Sequence, residues 1–137
     1  MLLNLSHDLN ALKAQLHAEI DHEAGRVRSF FITTVAGQEL VYAEKRREAE
    51  ALLADPALAE EATPHLTAEA MANQVTRLAK AEEIIATATA WALVSSQIEV
   101  RRLAAKAAVS ASTSAAAARS AAAVDWADII AMAPQEG

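Results

Sequence analysis

The longest uninterrupted helical pattern in the chain is RLAKAEEIIATATAWALVSSQIEVRRLAAKAAVS, residues 77–110. It contains neither glycine nor proline, the two residues that most often end a helix. Ile84, Trp91 and Ile98 recur every seven residues, so they lie along one side of the predicted helix. At 1.5 Å per residue this helix is about 50 Å long. Such a length in so short a chain predicts an antiparallel helical hairpin, a bundle completed by other subunits, or both.

A second long helix is predicted near the N-terminus, over about residues 6–33. Its apolar residues recur at intervals of three and four, so they form one stripe along the helix. We expect this stripe to pack against Ile84, Trp91, Ile98 and their neighbours, as core or as protein interface. The stripe consists of Leu5, Leu9, Leu12, Leu16, Ile20, Ala24, Val27 and Phe31.

Shorter helices complete a single all-α domain over residues 1–137. The β-branched run from Ile32 to Val35, followed by Gly37, predicts a break between about residues 33 and 38. Trp126 is predicted as an apolar anchor that docks on its own domain or on a neighbouring subunit. The last residues, from Pro134 to Gly137, are expected to form a flexible C-terminal end. The predicted helices cover about residues 6–33, 38–54, 68–73, 77–110 and 115–131.

Small side chains make up most of the apolar fraction of the chain. Apolar residues account for 53% of the sequence, but about a quarter of all residues are alanine and only 4% are aromatic. Each alanine buries little surface, so a large core within one copy is not expected. We therefore predict that oligomerisation completes the helical bundle.

Charge and composition exclude several classes of function. The chain has a formal net charge of −6 and an isoelectric point near 5.2, so we expect no nucleic-acid partner. No segment approaches the roughly 18 uninterrupted apolar residues of a membrane-spanning helix, and no membrane partner is predicted. The N-terminal residues lack the basic segment of a secretory signal, so we expect synthesis and folding in the cytoplasm. The absence of cysteine excludes disulfides and thiolate metal sites.

Three residues of the first helix are of the types that bind divalent metal ions: His17, Asp21 and His22. The two histidines are about 140° apart around a helix, however, so their imidazoles do not face one point. A solvated helix face is the favoured interpretation, and we predict no metal and no cofactor. The sequence also lacks a Ser-His-Asp order, a phosphate-binding glycine loop and the HExxH spacing. We therefore expect no catalytic residues and a protein that is not an enzyme.

Two short basic runs interrupt this acidic chain. They are Lys45–Arg47, flanked by Glu44 and Glu48, and Arg101–Arg102. Each has carboxylates three or four residues away, which is the spacing of ion pairs along a helix. This pattern predicts neutralised, solvated helix faces.

Two blocks of sequence follow a recognisable order of residues. The first is Ile20-Asp21-x-x-Ala24-Gly25-x-x-Arg28-x-x-Phe31-Ile32-Thr33, then Gly37-Gln38-x-x-x-Tyr42-x-x-Lys45-x-x-Glu48-Ala49. The second is Trp91, then Ile98-Glu99-Val100-Arg101-Arg102-Leu103-Ala104-Ala105-Lys106-Ala107-Ala108. Over most of its length the chain resembles small uncharacterised bacteriophage and prophage proteins encoded near tail and tail-fibre genes. The resemblance implies a role in the virion or in its assembly, and it carries over no catalytic residues.

The resemblance and the helical pattern favour two functions. One is a structural virion component of a phage tail or tail-fibre attachment region. Such a component is a homo-oligomer that contacts other phage tail or fibre proteins and is made in the host cytoplasm. The alternative is an assembly chaperone for a tail or fibre protein, which stays in the host cytoplasm. A small regulatory or adaptor protein of the host is a third interpretation.

Overall fold

A computed structural model describes residues 5–32 and 38–134 of the chain. Within these residues the regular elements are all helices and none is a strand, which confirms the all-α fold class. The elements in chain order are α1 (Leu5–Arg28), α2 (Gln38–Ala54), a 3-10 turn (Glu60–Ala62), α3 (Pro64–Asn73), α4 (Arg77–Ala111), α5 (Ala115–Ala122) and α6 (Ala127–Ile130).

The chain divides into two compact units. The first unit contains residues Met1–Ile32 and Val94–Gly137, and the second contains Thr33–Leu93. The helix α4 contributes to both, because the division falls between Leu93 and Val94.

In the first unit, α1 runs antiparallel to the part of α4 that follows Leu93. Their apolar faces meet in a core of Leu16, Ile20, Ala105 and Val109, which Ala118 of α5 completes. Leu9 and Leu12 pack against this core from the first turns of α1. Fully burying one leucine or isoleucine contributes about 1.5–3 kcal/mol, so these few side chains supply much of the unit's stability.

The second unit has a smaller core between α2, α3 and the first turns of α4. Ala49 and Leu52 of α2 pack with Leu66 and Ala81. Ile84 is partly buried against this second core, whereas we expected it to face the N-terminal helix. The difference arises because α4 is shared: its first turns pack with α2 and α3, and only its later turns lie in the unit of α1.

Three helix boundaries differ from the predicted ones. The first helix ends at Arg28 and not at 33, because the amides of Phe30 and Phe31 bond to carbonyls three residues back and tighten the chain into turns. The third begins at Pro64 and not at 68, since proline is well suited to the first helical turn.

The predicted helix over 115–131 is two helices. Ala123 leaves the helical region with φ −81° and ψ 74°, which ends α5. The Asp125 carboxylate then accepts a hydrogen bond from the Ala127 amide at 2.9 Å, which forms a turn just before α6 begins at Ala127.

The other boundaries agree with the predicted ones to within a residue: α2 spans Gln38–Ala54 and α4 spans Arg77–Ala111. The predicted break after residue 33 and the predicted flexible end fall mainly on 33–37 and 135–137, outside the described residues.

Candidate functional site

A ladder of polar contacts follows the antiparallel seam between α1 and α4 in the first unit. The Lys13 ammonium donates to the Ser110 carbonyl at 2.9 Å, one end of the ladder. In the middle, a ring nitrogen of His17 lies 3.1 Å from the Lys106 carbonyl and 3.1 Å from the Ser110 hydroxyl. At the other end, Arg28 donates to Glu99 at 3.0 Å. These contacts fix the register of the two helices.

Asp21 of this ladder binds two cations of α4. It accepts from Lys106 at 2.8 Å and from Arg102 at 2.7 Å. The hydrogen bond from Lys106, followed by that from Arg102, lowers the pKa of Asp21 below its usual value. Arg102 also donates to Glu99 at 2.6 Å and thereby lowers the pKa of that carboxyl. Arg102 thus links two carboxylates on different helices.

The same contacts decide what the predicted metal ligands do. His17 and Asp21 both form polar contacts with α4. His22, the residue after Asp21, is exposed. Across residues 5–32 and 38–134, no three His, Asp, Glu or Cys side chains are grouped so as to hold a metal ion. In this arrangement His17 and Asp21 position two helices against each other.

Both basic runs pair with carboxylates, and the predicted spacing of three or four residues holds for Arg46, Arg47 and Arg102. Lys45 instead binds Glu69 of the next helix. Arg47 pairs with Glu44 at 2.8 Å and Arg46 pairs with Glu50 at 3.0 Å, both within α2. In the second run Arg101 reaches beyond its own helix and binds Asp128 of α6 at 2.6 Å. The hydrogen bond from Arg101 lowers the pKa of Asp128 to about 2.

In the second unit a buried carboxylate caps the start of α3. Glu48 is 0% exposed. One of its oxygens accepts from the His65 amide at 2.8 Å and from the Leu66 amide at 3.4 Å. The other lies 2.7 Å from Nδ1 of the half-exposed His65 ring. A negative group at a helix N-terminus is favourable, because it satisfies amides that have no partner within the helix.

Further polar contacts hold the same elements together. Lys45 of α2 binds Glu69 of α3 at 2.6 Å, and the buried Lys80 of α4 lies 3.7 Å from the same carboxylate. Arg77 donates to the Thr63 hydroxyl at 3.0 Å and to the Leu58 carbonyl at 2.8 Å. These contacts join α2, α3 and the first turns of α4. They stabilise the packing of the three helices.

The outward face of α4 has a different character. We use this name for Val100, Leu103, Ala104, Ala107 and Ala111, which fall within an arc of about 100° on the helix. Val100 is 67% exposed and Leu103 is 52% exposed, and the three alanines are exposed as well. The buried residues of these turns lie on the opposite side of the helix.

The basic residues of these turns are paired within the chain. Arg102 and Lys106 bind Asp21, and Arg101 binds Asp128. The outward face itself carries no charged residue. An exposed apolar helix face with neutralised flanks is suited to packing against another helix.

The predicted core or interface residues differ in how deeply they are buried. Five of them are buried: Leu16, Ile20, Val27, Ile98 and Trp126. The other five are partly buried: Leu9, Leu12, Phe31, Ile84 and Trp91.

Sequence reasoning missed Glu48, His65 and the outward face. In the sequence Glu48 flanks a basic run, and its partner follows 17 residues later in a separate helix. The outward face does leave a signal: Val100 and Ala107, like Ala104 and Ala111, are seven residues apart. Apolar residues in this part of α4 thus occupy two sides of the helix, and one helix neighbour covers only one of them.

None of the helices formed by residues 5–32 and 38–134 is long and apolar enough to cross a membrane. Comparisons with protein-family models, with curated proteins and with solved structures find no match to this chain.

Proposed function

We propose that this protein is a non-enzymatic structural component of a bacteriophage tail or tail-fibre attachment region. It acts through helix-mediated contacts with other tail or fibre proteins and with further copies of itself. The resemblance of its sequence to proteins encoded near tail and tail-fibre genes is the reason for the phage assignment.

The observation that carries the interaction role is the outward face of α4. Its two larger side chains, Val100 and Leu103, are more than half exposed. Soluble proteins expose isolated apolar side chains freely, but an uncharged apolar stripe along a helix is typical of a contact surface. The polar side chains at the α1–α4 seam and around α3 support the same role, because their hydrogen bonds and ion pairs bind one helix to another.

Quantitative mass spectrometry of purified particles tests this proposal. The particles come from the phage or induced prophage that encodes the chain, and the copy number is measured relative to a major tail protein. A structural subunit is present at a fixed copy number that fits the rotational symmetry of the tail.

The same measurement separates the proposal from its alternative. Absence of the chain from particles, together with abundance in the infected cell, would overturn the structural role and support an assembly chaperone. A washing control at raised salt distinguishes an integral component from a protein carried along by weak surface charge contacts.

A further inference from the structure

The two compact units differ in net charge. The first contains seven lysines and arginines against eight aspartates and glutamates, a net charge of −1. The second contains five against ten, a net charge of −5. Repulsion among like charges destabilises a compact state, so this excess opposes the folding of the second unit. The first unit is nearly neutral, and its charges act mainly through the ion pairs that they form.

The first unit has ion pairs that join α1 to α4 and are open to solvent. Asp21 binds Arg102 at 2.7 Å and Lys106 at 2.8 Å, and Arg28 binds Glu99 at 3.0 Å. We call these three contacts the seam pairs. Each of their five side chains is between 22% and 45% exposed. Water and dissolved ions therefore reach the seam pairs, and added salt weakens them.

The apolar contact between the same two helices is made by few side chains. In the core of this unit α1 supplies Leu16 and Ile20, whereas α4 supplies the smaller Ala105 and Val109. A small side chain removes little apolar surface from water. The seam pairs therefore contribute a larger share of the α1–α4 contact than they would beside a core of large residues.

The charged contacts of the second unit are less accessible. Lys45 binds Glu69 at 2.6 Å, and these side chains are 17% and 33% exposed. Lys80 and the capping carboxylate of Glu48 are buried. Salt screens buried pairs much less than exposed ones. Its main effect on this unit is to reduce the repulsion among the excess carboxylates, several of which are exposed on separate elements, such as Glu60 and Glu82.

We infer that ionic strength controls the conformation of this protein by acting on its two units in opposite directions. Added salt screens the seam pairs, so α1 separates from α4 more often and uncovers Leu16 and Ile20. The same salt stabilises the second unit, because it screens the net charge of that unit. This inference goes beyond the proposed function and does not depend on it.

Hydrogen exchange followed by mass spectrometry tests the inference on the full chain under native conditions. Exchange is measured in 0.01 M and in 1 M NaCl, between which the screening length falls from about 30 Å to about 3 Å. Peptides of α1 report on the first unit and peptides of α3 on the second, since each helix lies wholly within one unit. Rates are referred to those of unfolded peptides in the same salt.

We expect the equilibrium constant for local opening of α1 to rise about tenfold in 1 M NaCl, because several exposed pairs weaken together. The constant for α3 is expected to fall. Effects of salt on apolar burial act in the same direction on both units. Opposite changes in α1 and α3 therefore identify the effect of charge.

Two variants test whether the seam pairs cause the response of α1. Asp21→Asn and Glu23→Gln each remove one negative charge from α1, at side chains that are 45% and 43% exposed. Glu23 binds Arg26 of the same helix at 3.0 Å, so it is the matched control. We expect Asp21→Asn to lose most of the salt dependence of α1 exchange and Glu23→Gln to retain it. Circular dichroism checks that both variants keep the helical content of the parent.

Three results would overturn the inference. They are exchange of α1 that is unchanged or slowed by salt, exchange of α3 that is accelerated together with that of α1, and equal loss of salt dependence in the two variants. None of these results bears on the copy number in particles, so the inference and the proposed structural role fail separately.

Discussion

Glu48→Ala removes the buried carboxylate that caps α3, and it tests how the second unit is held together. The carboxylate accepts from the His65 amide at 2.8 Å, from the His65 ring at 2.7 Å and from the Leu66 amide at 3.4 Å. All three contacts are lost together in this variant, and two backbone amides lose their acceptor.

The expected loss follows from these contacts. A hydrogen bond to a charged group contributes about 1.5–3 kcal/mol, and an anion at a partly buried helix N-terminus contributes up to about 2 kcal/mol. Part of this gain is offset in the parent, because burying the carboxylate removed it from water. We expect Glu48→Ala to lower the free energy of unfolding by about 2–4 kcal/mol. Glu48→Gln keeps the shape and one acceptor, and we expect a loss of about 1–2 kcal/mol.

Urea unfolding followed by tryptophan fluorescence measures this loss. Trp91 belongs to the same unit as Glu48, and in a Trp126→Phe background it is the only tryptophan. Glu50→Ala is the matched control, because the Glu50 side chain is 57% exposed and pairs with Arg46 on the same helix surface. This control is expected to change the free energy of unfolding by less than about 0.5 kcal/mol. If Glu48→Ala and Glu50→Ala destabilise the chain equally, the capping argument is wrong.

Three further predictions concern the first unit, where Trp126 is the reporter. Ile20→Ala empties a position that is 2% exposed and should lower the free energy of unfolding by about 2–5 kcal/mol in urea titrations; a loss below about 1 kcal/mol would contradict the core described for this unit. Ser114→Ala removes the hydroxyl that accepts from the Ala117 amide at 3.1 Å, with a loss of about 1 kcal/mol that Ser114→Asp restores; failure of that rescue would argue against capping. The pKa of Asp21 is lowered in the folded chain, so its contribution to stability is present above the unfolded pKa near 4 and is lost as the pH falls through the folded pKa. In Asp21→Asn the free energy of unfolding should therefore fall less steeply with decreasing pH between about pH 4 and 2. A slope equal to that of the parent would contradict this prediction.

Much of the fold follows from local sequence patterns. The helix α2 lies between a glycine before it and Asp55-Pro56 after it, and both signals act within a few residues. The helix α4 is predicted because nothing in 77–110 interrupts it. Apolar periodicity also selects Leu16 and Ile20 as core residues, because burial on one side of a helix follows directly from the 3.6-residue repeat.

Boundaries set by weaker signals were harder to predict. Residues 115–131 contain no glycine or proline, yet α5 ends at Ala122. The side chain of Asp125 binds the Ala127 amide, an amide that a continuous helix would bond to a backbone carbonyl. Aspartate favours such local hydrogen bonds over positions inside a helix. The sequence pattern alone does not indicate at which residue α5 ends.

Long-range pairing lies beyond what a single sequence shows. Glu48 and His65 are 17 residues apart, and Asp21 and Arg102 are 81 apart. Each of these side chains is ordinary on its own helix, and only packing decides which two meet. The exposure of Val100 and Leu103 is a similar case. Their apolar character predicts that they are buried. They are exposed because the neighbouring helix covers the other side of α4.

Photo-crosslinking within intact particles tests most directly the claim that this protein acts through the outward face of α4. A photoreactive residue at Leu103, which is 52% exposed, is compared with one at Met71, an apolar position on α3 that is 75% exposed. The account predicts that the probe at Leu103 links the chain to a second copy or to another tail or fibre protein, and that the probe at Met71 does not. Crosslinks from Met71 together with none from Leu103 would contradict it.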